Sequence, residues 1–168
     1  EPCAMRWPGH IPAGTVCNKI ASTIDLLPTI TKISKSTLPK QKIDGVDILA
    51  LLLGESDANP RKEFVYYYNR NSLEAIRRDK WKLVFPHKSR SYKAHPLGQD
   101  GFPGLTSQID VPLALYDLSI DPGETVDVQE QHPDVVKQLE LLADTYRRDL
   151  GDDLTHVEGT GRRPSGVC

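Results

Sequence analysis

The sequence lacks the features of membrane and nucleic-acid-binding proteins. No apolar run approaches the roughly 18 residues that a membrane-spanning helix requires. Its 21 Lys and Arg residues are offset by 23 Asp and Glu residues, which gives a formal net charge of −2. A surface without excess positive charge binds phosphates weakly, because Lys and Arg neutralise the nucleic-acid backbone. We therefore expect neither a membrane nor a nucleic acid as a partner.

Common short catalytic motifs are absent as well. The chain contains no G-x-S-x-G, no H-E-x-x-H, no phosphate-binding loop and no dinucleotide fingerprint. These absences exclude the local signatures of several hydrolases and nucleotide-binding enzymes. Any chemistry must rest on residues outside these patterns.

Cysteine and methionine are both scarce. The three cysteines, Cys3, Cys17 and Cys168, are too scattered for a zinc site, and their odd number leaves at least one without an intrachain partner. Cys3 and Cys17 could form a disulfide, but free thiols are the simpler interpretation of their spacing. The single methionine is Met5, and the chain opens on Glu1. This opening favours a processed piece, a subcloned domain or part of a longer chain, whose signal peptide would lie upstream.

Two helices are predicted after an irregular, Pro- and Gly-rich start over residues 1–19. Four apolar residues recur at helical spacing: Leu26, Leu27, Ile30 and Ile33. They predict a helix from about Asp25 to Ser36, with Pro28 tolerated in its first turn. Asp47 is expected to cap a short second helix over 48–53, which Gly54 ends.

The remaining pattern predicts strands and one long helix. Runs of β-branched, aromatic and apolar residues indicate four strands, at 64–68, 73–78, 81–85 and 113–118. A long amphipathic helix starts at Pro133 and ends at Gly151. Residues 86–112 show no periodicity and are predicted to be a long loop, and residues 152–168 a polar tail. This order predicts an α+β fold in which helices pack on a small four-stranded antiparallel sheet.

The long loop carries the best candidate site. It begins with the basic and aromatic segment PHKSRSYKAH over residues 86–95. Arg presents a fork of donors that matches sulfate or phosphate, Lys adds a positive charge, and His donates a hydrogen bond near neutral pH. A solvated basic loop without a ligand is the alternative interpretation.

Acidic residues elsewhere favour structural roles. Asp44 and Asp47 lie on one turn and could bind a cation, although capping and turn formation explain them better. Asp152 and its neighbour are expected at a solvated helix end. The segment DPGE at 121–124 is a strong turn signal, and an Asx-type turn explains Asp121 without a substrate.

Five segments share their order and approximate spacing with one known family. They are EPCAMRWPGHIPAG at 1–14, STIDLLPTI at 22–30, DGVDILALLLG at 44–54, AIRRDKWKL at 75–83 and LYDLSIDPGE at 115–124. Together they resemble the part of type I sulfatases that follows the catalytic half. The family includes the arylsulfatase A and N-acetylgalactosamine-6-sulfatase-like enzymes of the alkaline-phosphatase-like superfamily.

The resemblance implies an α/β parent that hydrolyses aryl or sugar sulfate esters in the periplasm, the lysosome or the extracellular space. Residues 1–62 would end the catalytic-domain region, with the first helix packed on the larger domain. Residues 63–151 would form the C-terminal antiparallel-sheet subdomain, and 152–168 the tail. The implied partners are the N-terminal catalytic domain and a sulfated glycan or aryl sulfate. The implied cofactors of the parent are formylglycine and calcium or a similar divalent ion.

The chain departs from the family pattern at the nucleophile. It contains no Cys/Ser-x-Pro-x-Arg motif, so no catalytic residue and no metal ligand is carried over, and the chain alone is expected to be inactive. In the family, the loop after the Lys-Trp-Lys strand folds over the mouth of the active site. The resemblance therefore implies a substrate-binding role for four residues: His87, Arg90, Tyr92 and His95.

Two other functions remain open at this point. The chain could be a stand-alone module that binds anionic glycans through the basic loop. It could also belong to a related phosphoesterase or phosphotransferase, although such enzymes are not expected to combine the Trp-Pro-Gly and Asp-Pro-Gly-Glu segments.

Overall fold

Helix α1 spans Leu26–Ser34 in the computed structural model, which describes residues 3–162. It follows a 3-10 turn at Thr23–Asp25 and contains Pro28 in its first turn, where the missing N–H costs no helical hydrogen bond. Lys35 adopts a left-handed conformation with φ of 55° and ends the helix. The predicted helix is confirmed, and it ends two residues earlier than expected.

A buried carboxylate holds the start of α1 in place. Asp25 is fully buried and accepts hydrogen bonds from the backbone N–H of Ser22 and of Val46, each at 2.9 Å. The Arg61 guanidinium forms a two-pronged ion pair with the same carboxylate, in which Nε lies 2.9 Å from Oδ2. Gly45 packs so closely that a Cβ atom there would overlap the carbonyl oxygen of Ile24. One carboxylate thus joins three separate stretches of residues 3–64.

Helix α2 is a single turn, Leu49–Leu52. The Asp47 carboxylate accepts a hydrogen bond from the Leu49 N–H at 2.9 Å, and Gly54 follows the helix with φ of 79°. The predicted contact from Asp47 and the predicted end at Gly54 are both confirmed, although the helix is one residue shorter at each end than the predicted 48–53. This capping role also accounts for Asp47 without a bound cation.

The chain divides after Phe64 into two compact units. The first contains α1 and α2. The second contains the long helix that starts at Pro133, a small second sheet and all but the first two residues of the main sheet. The strands of the main sheet are β1 Glu63–Tyr68, β2 Ser72–Arg78, β3 Trp81–Val84 and β6 Ala114–Asp117, in the order β1-β2-β3-β6.

The main sheet confirms the predicted four strands. Strands β2 and β3 are antiparallel, with Arg78 opposite Trp81, so Asp79 and Lys80 form a two-residue turn. Asp79 has φ of 51°, which a short polar side chain tolerates. Strand β6 pairs antiparallel with β3 on its other side, where Leu83 lies opposite Leu115.

Residues 86–112 are not a loop throughout, and that prediction is wrong. Strand β4, His87–Ser91, pairs antiparallel with β5, Ser107–Val111, in a second sheet that we call the β4–β5 ribbon. The hydrophobic pattern of the sequence does not predict this ribbon, because β4 contains only charged, imidazole and hydroxyl side chains. Its pairing depends on backbone hydrogen bonds to residues that follow a long connection.

Helix α3, Pro133–Leu150, covers one face of the main sheet. Its Leu139 and Ala143 are buried against Leu73, Ile76, Leu83, Phe85 and Leu115, and these residues form the core of this unit. The predicted apolar face is confirmed, because the remaining apolar residues of the helix pack around the same cluster: Val135, Val136, Leu142 and Tyr146.

The residues after α3 fold back onto it, so the expectation of a solvated helix end at Asp152 is wrong. Asp152 is fully buried and accepts hydrogen bonds from the Leu73 N–H at 3.1 Å and from Arg147 Nε at 2.9 Å. The Leu154 N–H and the Thr155 hydroxyl also donate to it, each at 3.0 Å. Asp153, by contrast, is half exposed. The rest of the predicted tail, residues 163–168 with Cys168, lies outside the described residues.

Within residues 3–162, no helix is both long enough and apolar enough to cross a membrane. Cys3 and Cys17 are exposed free thiols, so the structure contains no disulfide between them.

Candidate functional site

The β4–β5 ribbon presents two chemically different faces. Side chains alternate along a strand, so His87, Ser89 and Ser91 lie on one face of β4, while Lys88 and Arg90 lie on the other. Burial follows this alternation: Ser91 is buried, whereas Lys88 and Arg90 are exposed. We call the side with Lys88 and Arg90 the outer face of the ribbon and the side with His87 its inner face.

His87 is held on the inner face by two acceptors. Its Nδ1 lies 2.7 Å from the Phe85 carbonyl oxygen, and its Nε2 lies 3.2 Å from Oε2 of Glu74 in β2. The side chain of His87 is only 9% exposed. The other Glu74 oxygen accepts a hydrogen bond from Asn69 at 3.4 Å. The imidazole therefore contacts the main sheet rather than open solvent.

The outer face carries two basic side chains and one acidic one. Lys88 Nζ lies 3.9 Å from Oδ1 of Asp110, directly across the ribbon, and both side chains are more than three quarters exposed. An ion pair this exposed is weak because solvent and salt screen it. Arg90 is opposite the neutral Gln108. The outer face is therefore suited to bind an anion from solution.

The connection between β4 and β5 folds into a loop with a narrow base. A Cβ atom on Gly98 would overlap the Phe102 carbonyl oxygen, and one on Gly104 would lie 2.6 Å from the Pro96 carbonyl oxygen. Both positions therefore require glycine. The loop exposes three apolar side chains, of which Phe102 lies in the tip and Leu97 and Leu105 lie next to the base.

The four predicted site residues do not form a single surface. Arg90 lies on the outer face and His87 on the inner face. Tyr92 follows β4 and is 46% exposed, and its carbonyl oxygen accepts a hydrogen bond from the His95 N–H at 3.0 Å. Their role in substrate binding stays a prediction.

Sequence reasoning did not identify Glu74 and Asp110 as part of this arrangement. Glu74 gives a signal in hindsight, because it is a lone carboxylate among the apolar residues of β2. Asp110 gives none until the register of the ribbon is known.

The carboxylates of Asp121 and Glu124, in the turn before α3, accept hydrogen bonds from other residues of the chain. Asp121 accepts hydrogen bonds from the Thr125 N–H at 2.7 Å and the Val126 N–H at 2.8 Å. These donors lie four and five residues further on, not two as in an Asx turn, but Asp121 still has the structural role that was expected for it. The Val126 N–H is the main reason why the pKa of Asp121 lies below its usual value. Glu124 accepts two hydrogen bonds from Lys82, at 2.6 and 2.8 Å. These carboxylates are therefore explained by the fold.

The described residues do not fit the divalent ion that the resemblance implies for the parent. No group of three or more His, Cys, Asp and Glu side chains within residues 3–162 is arranged to hold a metal ion. We assign no metal-dependent step to this chain.

Comparison with known families agrees with the fold and the motifs. Residues 60–163 match the C-terminal region of aryl-sulfatase, and residues 1–101 match the C-terminal region of N-sulphoglucosamine sulphohydrolase. The chain belongs to the sulfatase family, of which it represents the C-terminal region.

The curated relatives are enzymes of this family. The chain is 36% identical to arylsulfatase A of Bos taurus, in an alignment that covers 84% of the chain and 30% of that protein. It is 28% identical to N-acetylgalactosamine-6-sulfatase of Sus scrofa, with 89% of the chain and 31% of that protein covered. The chain therefore spans about 30% of the length of these relatives.

Solved structures confirm the fold as that of a sulfatase C-terminal subdomain. A sulfatase from Pseudoalteromonas sp. superposes with a TM-score of 0.64 at 20% identity, covering 83% of this chain and 28% of that one. A second structure, a complex with its substrate D-glucosamine-2-N,6-O-disulfate, superposes with a TM-score of 0.54 at 22% identity, covering 84% of this chain and 27% of that one.

Proposed function

We propose that the chain is the C-terminal part of a sulfuric ester hydrolase acting on aryl or sugar sulfate esters. In this proposal, it contributes structure and one wall of the substrate pocket. The observation that carries the proposal is a basic, exposed ribbon face on a sulfatase C-terminal fold. Guanidinium and ammonium groups form strong, charge-assisted hydrogen bonds to oxyanions such as sulfate.

The substrate class that we favour is a sulfated sugar. The structural neighbour solved with a disulfated glucosamine supports this choice, since its fold resembles that of the chain. Arg90 and Tyr92 would contact the substrate, and His87 and His95 would lie near them. The formylglycine nucleophile and a calcium or similar divalent ion would belong to the N-terminal region of a longer protein. We place that protein in the periplasm, the lysosome or the extracellular space.

The direct test compares the 168-residue chain with the product of the complete gene. We expect the chain alone to release no sulfate from an aryl sulfate or from D-glucosamine-2-N,6-O-disulfate, because it lacks the formylglycine motif. The complete product should hydrolyse at least one of the two. Replacing Arg90 with Gln in it should raise KM about tenfold with little change in kcat, because the side chain binds substrate without touching the reacting bond.

Lys137→Gln is the matched control for that test. Lys137 is an exposed basic residue of α3, so its loss removes the same charge away from the ribbon. Sulfate release by the isolated chain would contradict the proposal, and so would a complete gene product without sulfatase activity.

A second expected result concerns the exposed face of α1. Leu27 and Ile30 are 51% and 59% exposed, and we propose that the N-terminal catalytic region covers them in the longer protein. Without that cover, the chain should self-associate through this face. Sedimentation should show dimers or larger species that increase with concentration, and replacing Leu27 and Ile30 together with Glu should abolish them. A sharp thermal transition that does not depend on concentration would count against this expectation.

The alternative function is a stand-alone module that binds anionic glycans. The outer face of the ribbon favours it, because this face requires no catalytic partner to bind sulfate. A complete gene product that begins near Glu1, without sulfatase activity but with salt-sensitive binding of a sulfated sugar, would support the module over the hydrolase.

A further inference from the structure

We propose that the two faces of β4 have separate roles. Lys88 and Arg90 bind sulfate groups on the outer face, and His87 is a positioning residue that holds the strand through Glu74. This inference rests on the proposed function, because it concerns the same ribbon and the same class of substrate. It adds Lys88 to the binding surface and Glu74 to its support, and it moves His87 out of substrate contact.

The inner face leaves His87 few options for ligand contact. Each ring nitrogen lies within hydrogen-bond distance of an oxygen of the chain itself, the Phe85 carbonyl and the Glu74 carboxylate. A substrate could reach either ring nitrogen only by displacing the oxygen that already lies beside it. The Glu74 side chain is 12% exposed, so losing its imidazole partner would leave a carboxylate in a poorly solvated position.

The same contact orients the outer face. Glu74 lies in β2 of the main sheet, whereas His87 is the first residue of β4. Their interaction therefore attaches the first residue of the ribbon to the main sheet, one residue before Lys88. Because side chains alternate, fixing His87 inward also directs Lys88 and Arg90 outward.

The outer face provides two cations in a row. Residues two apart on a strand are separated by about 7 Å, so Lys88 and Arg90 can contact two different sulfate groups of one ligand. Asp110 is the carboxylate directly across from Lys88, and it competes with an incoming sulfate for the Lys88 ammonium. The proposal therefore predicts that removing Asp110 strengthens binding.

The test measures binding of D-glucosamine-2-N,6-O-disulfate to the 168-residue chain by isothermal titration or NMR, with glucosamine as the unsulfated control. Lys88→Gln and Arg90→Gln should each weaken binding by about tenfold, as expected for loss of a charge-assisted hydrogen bond. Asp110→Asn should strengthen binding by about twofold to threefold, since an exposed ion pair is weak. Lys137→Gln should bind as the wild type does.

Glu74→Gln separates positioning from simple electrostatics. This substitution removes a negative charge near the ribbon, so electrostatics alone predicts tighter binding of a sulfated ligand. A positioning role for His87 and Glu74 predicts the opposite. Affinity for the sulfated ligand should fall by about fivefold or more, because the ribbon is no longer held in one orientation. Amide hydrogen exchange should then rise in 87–91 and 107–111 while α3 keeps its protection. A general loss of stability would instead raise exchange throughout 65–162.

Three results would overturn the inference: no measurable binding by the wild-type chain, wild-type affinity in both Lys88→Gln and Arg90→Gln, or tighter binding by Glu74→Gln. Each of them is separable from failure of the proposed function. Sulfatase activity of the complete gene product would stand even if Lys88 and Arg90 made no contribution to binding.

Discussion

Replacing Asp152 with Ala should lower the free energy of unfolding of residues 65–162 by about 3–5 kcal/mol, the range for removing one partner of a buried ion pair. The Arg147 side chain is 14% exposed, and the substitution removes its buried carboxylate partner, whereas its other partner, Asp144, is half exposed. It also removes the acceptor for the N–H groups of Leu73 and Leu154, which join β2 to the segment after α3.

The measurement is urea unfolding followed by Trp81 fluorescence in a Trp7→Phe background, in which Trp81 is the single tryptophan. Asp152→Asn should show a smaller loss, because its amide oxygen still accepts backbone hydrogen bonds. Asp153→Ala is the matched control, since that neighbouring carboxylate is 53% exposed and its loss should cost less than about 0.5 kcal/mol. If the Asp152→Ala and Asp153→Ala variants unfold at the same urea concentration, Asp152 does not join these elements.

Replacing Asp25 with Asn should destabilise residues 3–64 by a similar amount, about 3–5 kcal/mol. The Arg61 side chain is 11% exposed and would lose its charged partner. The N–H groups of Ser22 and Val46 would share a single amide oxygen in place of two carboxylate oxygens. We expect amide protection in α1 to fall sharply. Asp57→Asn, a substitution at an exposed carboxylate of the same unit, should leave protection unchanged.

The same carboxylate makes the stability of this unit depend on pH. Burial alone would raise the pKa of Asp25, but the Arg61 hydrogen bonds and the N–H groups of Val46 and Ser22 outweigh burial and hold it below 3.8. Because the pKa is lower in the folded state, the stabilisation is present above about pH 4 and is lost as pH falls through the folded value. Amide exchange in α1 should therefore accelerate below about pH 4 in the wild type and much less in Asp25→Asn. Equal acid sensitivity in both proteins would contradict this assignment.

Local patterns were sufficient wherever one apolar face packs on one core. The face of α3 that contains Leu139 and Ala143 repeats at helical spacing over five turns, so no other structure suits it. The turn at Asp79 was predictable because apolar strands flank it closely. The cap at Asp47 and the stop at Gly54 depend only on their immediate neighbours, and both were predicted.

The ribbon could not be predicted because its stability does not come from an apolar pattern. The Lys88 and Arg90 side chains point into solvent, and the pairing partners of β4 lie 16 to 24 positions further along the chain. The basic cluster itself was visible in the sequence. Its division between two faces was not, because it follows from the strand conformation and from Glu74, a residue of another strand. The burial of Asp152 likewise depends on tertiary contacts that no neighbouring residue indicates.

Because the loop between β4 and β5 has a narrow base at Gly98 and Gly104, its tip, residues 99–103, can change without altering the ribbon. The backbone is closed at this base, so residues inserted between 99 and 103 would lengthen the tip without changing the spacing of β4 and β5. Relatives could therefore differ in how far the tip reaches over a ligand while keeping the same cationic strand beneath it. The length of the tip and the positive charge of β4 would then evolve independently. A tip taken from another sulfatase could be grafted onto this loop without changing the residues of the ribbon.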